Sequence, residues 1–358
     1  MHGDRVLHGD ARLLLREFAA SGWGDTFRLA YADPPYNTGR SDRGPFLDHR
    51  SDTEWAALIS DVASGVLPLL TADGSFWLHV NDRQLGAAQA ACDSVFGRDR
   101  FVGTITWERT RRPSFIRGRH LASTTDFLLI YARDRRKLRP FTDGLTEVGK
   151  RVPVTHRGNT PTRLEFPAGS VRFNCPDGIY PAGDHSSPGI TAELLEDVAV
   201  IGGMNASPLR LLLPSRYSRA SVQRMVEDGA QFLIPKPPFR PSYLAAGGRA
   251  KVVSNVWSWR LDDRIPTNED AHKDQLRSGI SPFPYAKPVG LLRRILEVAT
   301  EPGDSVLDPF GGSGTTAEAA RLAGRAFVLI EQQSELIEHY VRPRLARAGS
   351  VTGPSPEG

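Results

Sequence analysis

The alternation running through the first third of the chain restricts its fold more than any other feature. "DRVLHG" (4–9) reads as a short strand, and "DARLLLREFAASG" (10–22) as a helix with Asp10 at its N-cap. "FRLAYA" (27–32) reads as a buried strand. "SDTEWAALISDVASGVLPLL" (51–70) opens with a capping box, Ser51 to Glu54, and continues at helical period. "GSFWLHV" (74–80) and "DRQLGAAQAACDSVF" (82–96) supply the next strand and helix. Such a βαβαβ series predicts an α/β fold, a parallel sheet with helices on both faces. The 358 residues, 40% hydrophobic, are enough for a large α/β core or two domains.

The pattern breaks and then returns. Residues 1–139 read as the first half of the α/β domain. Residues 140–254 are rich in Pro, Gly and Asn with short alternating runs, and are expected to form an irregular, strand-containing insertion. One helix, "SRASVQRMVEDG", interrupts it and ends at Gly229, a good C-terminal cap. Residues 255–345 resume the α/β pattern, and the tail 346–358 is expected to be disordered. No stretch approaches the apolar length of a membrane span, and "MHGDRVLHGD" lacks an apolar signal core, so a cytoplasmic protein with no membrane partner is expected. Cys92 and Cys175 are the only cysteines and the nine histidines are scattered, which argues against a disulfide framework or a metal site.

Two strand ends carry the chemistry. In "LAYADPPYNTG" (29–39) two prolines, which donate no N–H, stop the strand and turn the chain outward at Asp33. The Asp33 carboxylate and the Pro34 carbonyl can together accept both hydrogens of an exocyclic ring amine. That pulls the amine toward pyramidal geometry and frees its lone pair. Pro35 holds the turn, and Tyr36 offers a flat face on which a base can stack, worth about 1–3 kcal/mol. Reaching such an amine in a duplex requires flipping the base out. The second strand end is "VLDPFGGSGTT" (306–316), a strand, a Gly-rich turn and a helix start, with Glu331 ending the next strand. That places an acid where it can bind the ribose hydroxyls of a nucleoside cofactor. The P-loop lysine is missing and Ala317 stands where a dinucleotide motif has its third glycine, so S-adenosyl-L-methionine fits better than a pyrophosphate cofactor. The run from Trp107 to Arg139 crowds basic residues around the strand "DFLLIYA" and suits a polyanion; net charge is only +4.

With these motifs in place, the chain resembles DNA amino-methyltransferases of the N4-cytosine/N6-adenine family. The carriers are "DPPYNTG" (33–39), "FPYAKP" (283–288), "VLDPFGGSGTT" (306–316) and "LIE" (329–331). Longer stretches resemble the modification subunits of type III restriction systems, and the likeness covers most of residues 3–345. It implies a Rossmann-like S-adenosylmethionine-dependent methyltransferase sheet with permuted motif order, in which 1–139 is the catalytic half, 140–254 the target-recognition region and 255–345 the cofactor half. It implies catalytic roles for Asp33, Pro34, Pro35 and Tyr36. It implies a cofactor pocket of Asp10, Lys287, Pro288, Asp308, Phe310, Gly311, Gly312, Gly314, Thr315 and Glu331. It implies double-stranded DNA as the partner, with Arg109, Arg111, Arg112, Arg117 and Arg119 expected to hold its phosphates; a homodimer and a restriction partner stay open. Two departures stand out: Thr125 and Asp126 occupy the place of the family's common His-Glu, and the chain is shorter than typical type III subunits. The expected reaction is methylation of adenine N6, with cytosine N4 the rival within the class. A catalytically silent DNA-binding module and a nicotinamide oxidoreductase are the rivals outside it.

Overall fold

The computed structural model describes residues 3–37, 50–112, 120–146, 149–189, 191–237, 239–245, 248–277, 283 and 285–350. They divide into two units, Met1–Thr142 with Val252–Gly358, and the inserted Asp143–Lys251.

The first unit contains strands β1 (Arg5–His8), β2 (Phe27–Ala32), β3 (Leu70–Val80), β4 (Phe101–Glu108), β5 (Thr125–Ala132), β6 (Val256–Trp257), β7 (Ser305–Asp308) and β8 (Ala326–Glu331). They form one eight-stranded sheet in the order β1-β8-β7-β2-β3-β5-β4-β6. Side chains alternate across it and so feed two cores. Ala30, Ala32, Phe76 and Leu78 face helices α1 (Ala11–Ala20), α2 (Asp52–Val66) and α3 (Leu85–Phe96), meeting Leu15, Trp55, Ile59 and Cys92. Helix α4 (Asn268–Arg277) follows β6. Leu29, Tyr31 and Trp77 face the other way, with Leu291 and Ile295 of α5 (Val289–Ala299) and Ala319 and Ala320 of α6 (Thr315–Leu322). Helix starts are fixed locally, as expected: the Asp10 side chain accepts from Arg12 N, and Ser51 and Glu54 form the reciprocal box.

Topology brings the two motifs together. β2 and β7 are parallel neighbours, Leu29 opposite Val306 and Ala30 opposite Leu307. From this pair the chain builds outward both ways, so Asp33 and Asp308 emerge side by side at a topological switch point, where open α/β sheets bind ligands. The sheet is parallel except at β5, which is antiparallel to β3 and β4. That reversal divides the basic run 107–139. Its front end, with Arg109, stays on the motif rim. Its back end, Arg133 onward, is carried to the opposite rim, roughly 25 Å away for a strand of this length, where Arg133 pairs with Asp25 and Arg139 with Glu301. Residues 107–139 therefore do not form one phosphate-holding surface.

The inserted unit is more ordered than its Pro and Gly content suggests. Its short strands gather into a seven-stranded and a four-stranded sheet around Leu164, Phe166, Leu211, Leu213 and Phe232. Its helix, Arg219–Glu227, is capped by Ser218 and followed by Gly229 at φ 78°. A closing helix, Arg342–Ser350, includes residues 346–350, which the sequence reading assigns to a disordered tail; Leu345 and Ala348 are buried and hold it. Residues 351–358 lie outside the described residues. No helix among the described residues is long and apolar enough to cross a membrane.

Candidate active site

The turn after β2 is held from three sides. The Trp55 indole of α2 donates to the Pro35 carbonyl at 2.7 Å, and Gln84 Nε2 donates to the Tyr36 carbonyl at 3.4 Å. Asn37, at φ 50°, exchanges two hydrogen bonds with the Arg50 backbone. So held, the turn leaves the Asp33 side chain 21% exposed toward the cavity. Tyr36 Oη donates to Asp33 Oδ1 at 2.8 Å, and burial pushes the Tyr36 phenol well above its usual range. Lys287, expected on the cofactor side, instead sets its ammonium on this acid. Its Nζ lies 2.9 and 2.8 Å from the two Asp33 oxygens, 2.8 Å from Tyr36 Oη and 4.8 Å from the Tyr36 ring centroid. The next residue, Pro288, caps α5 and does not line the cavity.

Beneath this turn lies a buried polar column that the motifs did not announce. Tyr31 Oη and His79 Nδ1 share a hydrogen bond of 2.8 Å, His79 Nε2 is 3.5 Å from Asp126 Oδ2, and Asp126 Oδ1 is 3.0 Å from Arg109 Nε. Burial, with the nearby Lys287 charge, pushes the His79 imidazole below its usual range. Burial also pushes the Asp126 carboxyl up, but His79, Lys287 and Arg109 outweigh it and hold it low. Arg109 is thus fixed to Asp126 and, at 2.8 Å, to the Ser123 carbonyl. It is a wall of the cavity rather than a free phosphate ligand. The signal for Asp126 in the sequence was that Thr125 and Asp126 stand in place of the family's common His-Glu.

The Gly-rich turn after β7 is shaped by packing. A Cβ on Gly311 would stand 2.2 Å from Leu329 Cδ2, so no side chain fits between turn and strand. Gly314 takes the left-handed N-cap of α6 at φ 79°, where a Cβ would stand 3.2 Å from Val341 Cα, and it does not line the cavity. The Glu331 carboxylate accepts from Gly312 N at 2.7 Å and from Gln333 N at 2.9 Å. It therefore clamps the turn and keeps lone pairs for a ligand; burial raises its pKa. Asp308 is 3% exposed and accepts from Phe310 N at 2.9 Å. Burial pushes it up to about 7, against the Thr316 and Phe310 hydrogen bonds and with help from the charges of Asp33 and Glu331.

These groups open into one cavity of about 810 Å³, within the range of small-molecule sites. Asp10, Asp33, Pro34, Pro35, Tyr36, Arg109, Lys287, Asp308, Phe310, Gly311, Gly312, Thr315 and Glu331 all line it. Arg12, Arg50, Ser123, Asp126 and Phe283 line it too and were not expected there. Asp10 lies at its edge, paired with Arg12 at 2.6 Å. Arg111 and Arg112 lie outside the lining; Arg111 pairs with Asp270 at 3.1 Å, whereas Arg112 is exposed. Arg117 and Arg119 fall outside the described residues. Among the described residues no group of three or more His, Cys, Asp or Glu can hold a metal ion.

Comparison with known proteins gives the family and the fold. Residues 27–342 match the N6/N4 methyltransferase family model, described as DNA methylase. The chain is 24% identical over 322 residues to the type II methyltransferase M.EcaI of Enterobacter cloacae, covering 86% of this chain and 62% of that protein. It is 26% identical over 348 residues to the StyLTI Mod subunit, a type III restriction-modification enzyme of Salmonella typhimurium, covering 87% of this chain and 49% of that protein. The chain thus spans about half to three-fifths of the length of these curated relatives. Among solved structures, the PvuII DNA methyltransferase, specific for cytosine N4, superposes with TM-score 0.51 at 14% identity, covering 99% of this chain and 89% of that one. That likeness supports the α/β methyltransferase fold.

Proposed function

This chain belongs to the N6/N4 DNA methylase family, and from that premise we propose that it transfers a methyl group from S-adenosyl-L-methionine to the N6 amine of a flipped-out adenine in double-stranded DNA. The observation that carries the reading is the single cavity joining Asp33, Pro34 and Tyr36 to Asp308 and Glu331. When bound, S-adenosylmethionine supplies an electrophilic methyl group on a sulfonium. Glu331 accepts from the ribose hydroxyls, and Asp308 offers a buried acid to a cationic group. Asp33 and the Pro34 carbonyl accept the two amine hydrogens, Tyr36 stacks on the base, and Asp33 takes the proton that the nitrogen sheds after transfer. The turn contacts from Trp55 and Gln84 hold these acceptors rigid, which is what positioning of a reacting nitrogen demands.

An acid at the first motif position and the likeness to type III Mod subunits favour adenine N6; cytosine N4 is the second reading, since both amines present the same two hydrogens. The inserted unit reads the target sequence, and a restriction subunit in the cytoplasm is a candidate partner. The test is incubation of unmethylated genomic DNA with protein and S-adenosylmethionine, digestion to nucleosides and mass analysis. N6-methyladenine is expected. N4-methylcytosine would move the substrate to the second reading, and no methylated nucleoside from folded, cofactor-binding protein would point to the catalytically silent module.

A further inference from the structure

The ammonium of Lys287 stands where the target amine must go. All three of its hydrogens are engaged, two on the Asp33 oxygens and one on Tyr36 Oη. Of the roughly four acceptor sites of a carboxylate, Lys287 and Tyr36 take three. An amine approaching Asp33 meets a donor, not an acceptor. The Lys287 side chain is only 10% exposed, so the ammonium has given up most of its water for this pair. A buried cation does not leave its partner unless another anion receives it. Of the other carboxylates lining the cavity, Asp10 is paired with Arg12 and Asp126 with Arg109 and His79, Asp82 is exposed to water, and Glu331 already accepts from two backbone N–H groups. The fifth, Asp308, holds the Phe310 N–H deep in its own turn. A carboxylate brought in by the proposed cofactor is an anion that can receive the lysine, and the lysine stem, with four rotatable carbons, is long enough to follow it.

We propose that Lys287 is a displaceable counter-ion that occupies Asp33 in the resting site and moves to the α-carboxylate of the incoming cofactor, so that cofactor binding precedes capture of the target amine. This rests on the cofactor reading above. Its consequence is an ordered enzyme: a flipped base entering first finds Asp33 blocked, and the reactive carboxylate is released only when the methyl donor is in place. The Asp33–Lys287 pair then opposes cofactor binding, because it must be broken first.

The test is a double-mutant cycle read by calorimetry, with no DNA present. S-adenosylmethionine is titrated into wild type, Asp33→Asn, Lys287→Met and the double mutant. 5′-Methylthioadenosine, which has the same nucleoside but no carboxylate, serves as the control ligand. Asp33→Asn is expected to tighten S-adenosylmethionine at least threefold, and Lys287→Met to weaken it at least tenfold. In the Lys287→Met background Asp33→Asn gives no tightening, and methylthioadenosine affinity is insensitive to Lys287→Met. Additive effects, or an equal loss for methylthioadenosine, would overturn the proposal. Lys287→Gln replaces Lys287→Met if the latter lowers the unfolding midpoint. Failure of the wild type to bind S-adenosylmethionine at all would sink the cofactor reading itself, an outcome distinct from an additive cycle.

Discussion

Asp33 and Asp308 end neighbouring parallel strands and open into one cavity, and their carboxylates meet opposite surroundings. Asp33 is partly exposed and carries an ammonium and a phenol. Asp308 is buried, meets a backbone N–H and a hydroxyl, and feels the charges of two further acids, Asp33 and Glu331. In the proposed reaction the first accepts hydrogens from an uncharged donor once its counter-ion is shifted. The second is held mostly neutral below about pH 7, chiefly by its burial. The strand order sets the two acids side by side while the loops after them supply different neighbours, which is what the proposed function requires of one sheet end that takes two partners of different charge.

Removing Asp33 should separate the two halves most sharply. Asp33→Ala is expected to lower the single-turnover rate of methyl transfer by about 10²–10³-fold, the usual cost of deleting a group that stabilises charge in the transition state. A rate near wild type would take Asp33 out of the chemistry. Glu331→Ala acts on the other half. It removes the proposed ribose acceptor and orphans the Gly312 and Gln333 N–H groups, so S-adenosylmethionine should bind about 10–100-fold more weakly, about 1.4–2.8 kcal/mol. The check is a competition titration at saturating DNA.

The Asp308 acid sharpens the contrast through pH. Its pKa in the folded chain is about 7, above the ordinary 3.8. Its neutral form is therefore favoured by the fold. The associated stability is fully present below pH 3.8 and is lost as pH rises through 7. Asp308→Asn should flatten the fall of the unfolding midpoint across that window. Binding has the opposite sign: a cationic ligand needs the ionised acid, so affinity should rise about tenfold per pH unit up to 7 and level off above it. Asp308→Asn should abolish that rise; a profile left unchanged would assign it elsewhere, with Glu331, also raised, the next acid to change.

The smallest effect concerns the rim. Arg112 is exposed, whereas Arg109 is tied to Asp126. Arg112→Ala should make the slope of log DNA affinity against log salt shallower by about 0.9 if it holds one phosphate. Arg109→Ala should leave the slope alone and lower turnover. Equal slope changes for both would return Arg109 to the phosphate-holding group.

What could be read from the sequence was what is encoded locally. Asp10 as an N-cap, the Ser51–Glu54 box and the strand–glycine–helix turn before Glu331 each depend on residues a few positions apart, and both motifs could be placed at strand ends for that reason. The Lys287–Asp33 pair spans 254 residues and exists only because β2 and β7 are neighbours. Asp126 reaches the cavity because β5 runs backwards, and the same reversal separates Arg109 from Arg133; neither direction is written in the apolar run "DFLLIYA". Trp55 looks like one more core residue of an amphipathic helix until its indole is seen to hold the Pro35 carbonyl.

The division of the cavity into an amine half and a cofactor half is tested most directly by the equilibrium binding of S-adenosylmethionine to Asp33→Ala. The expected result is an affinity equal to or tighter than wild type in a protein that no longer transfers the methyl group. Loss of binding together with loss of transfer would contradict it, and would make Asp33 part of the cofactor site.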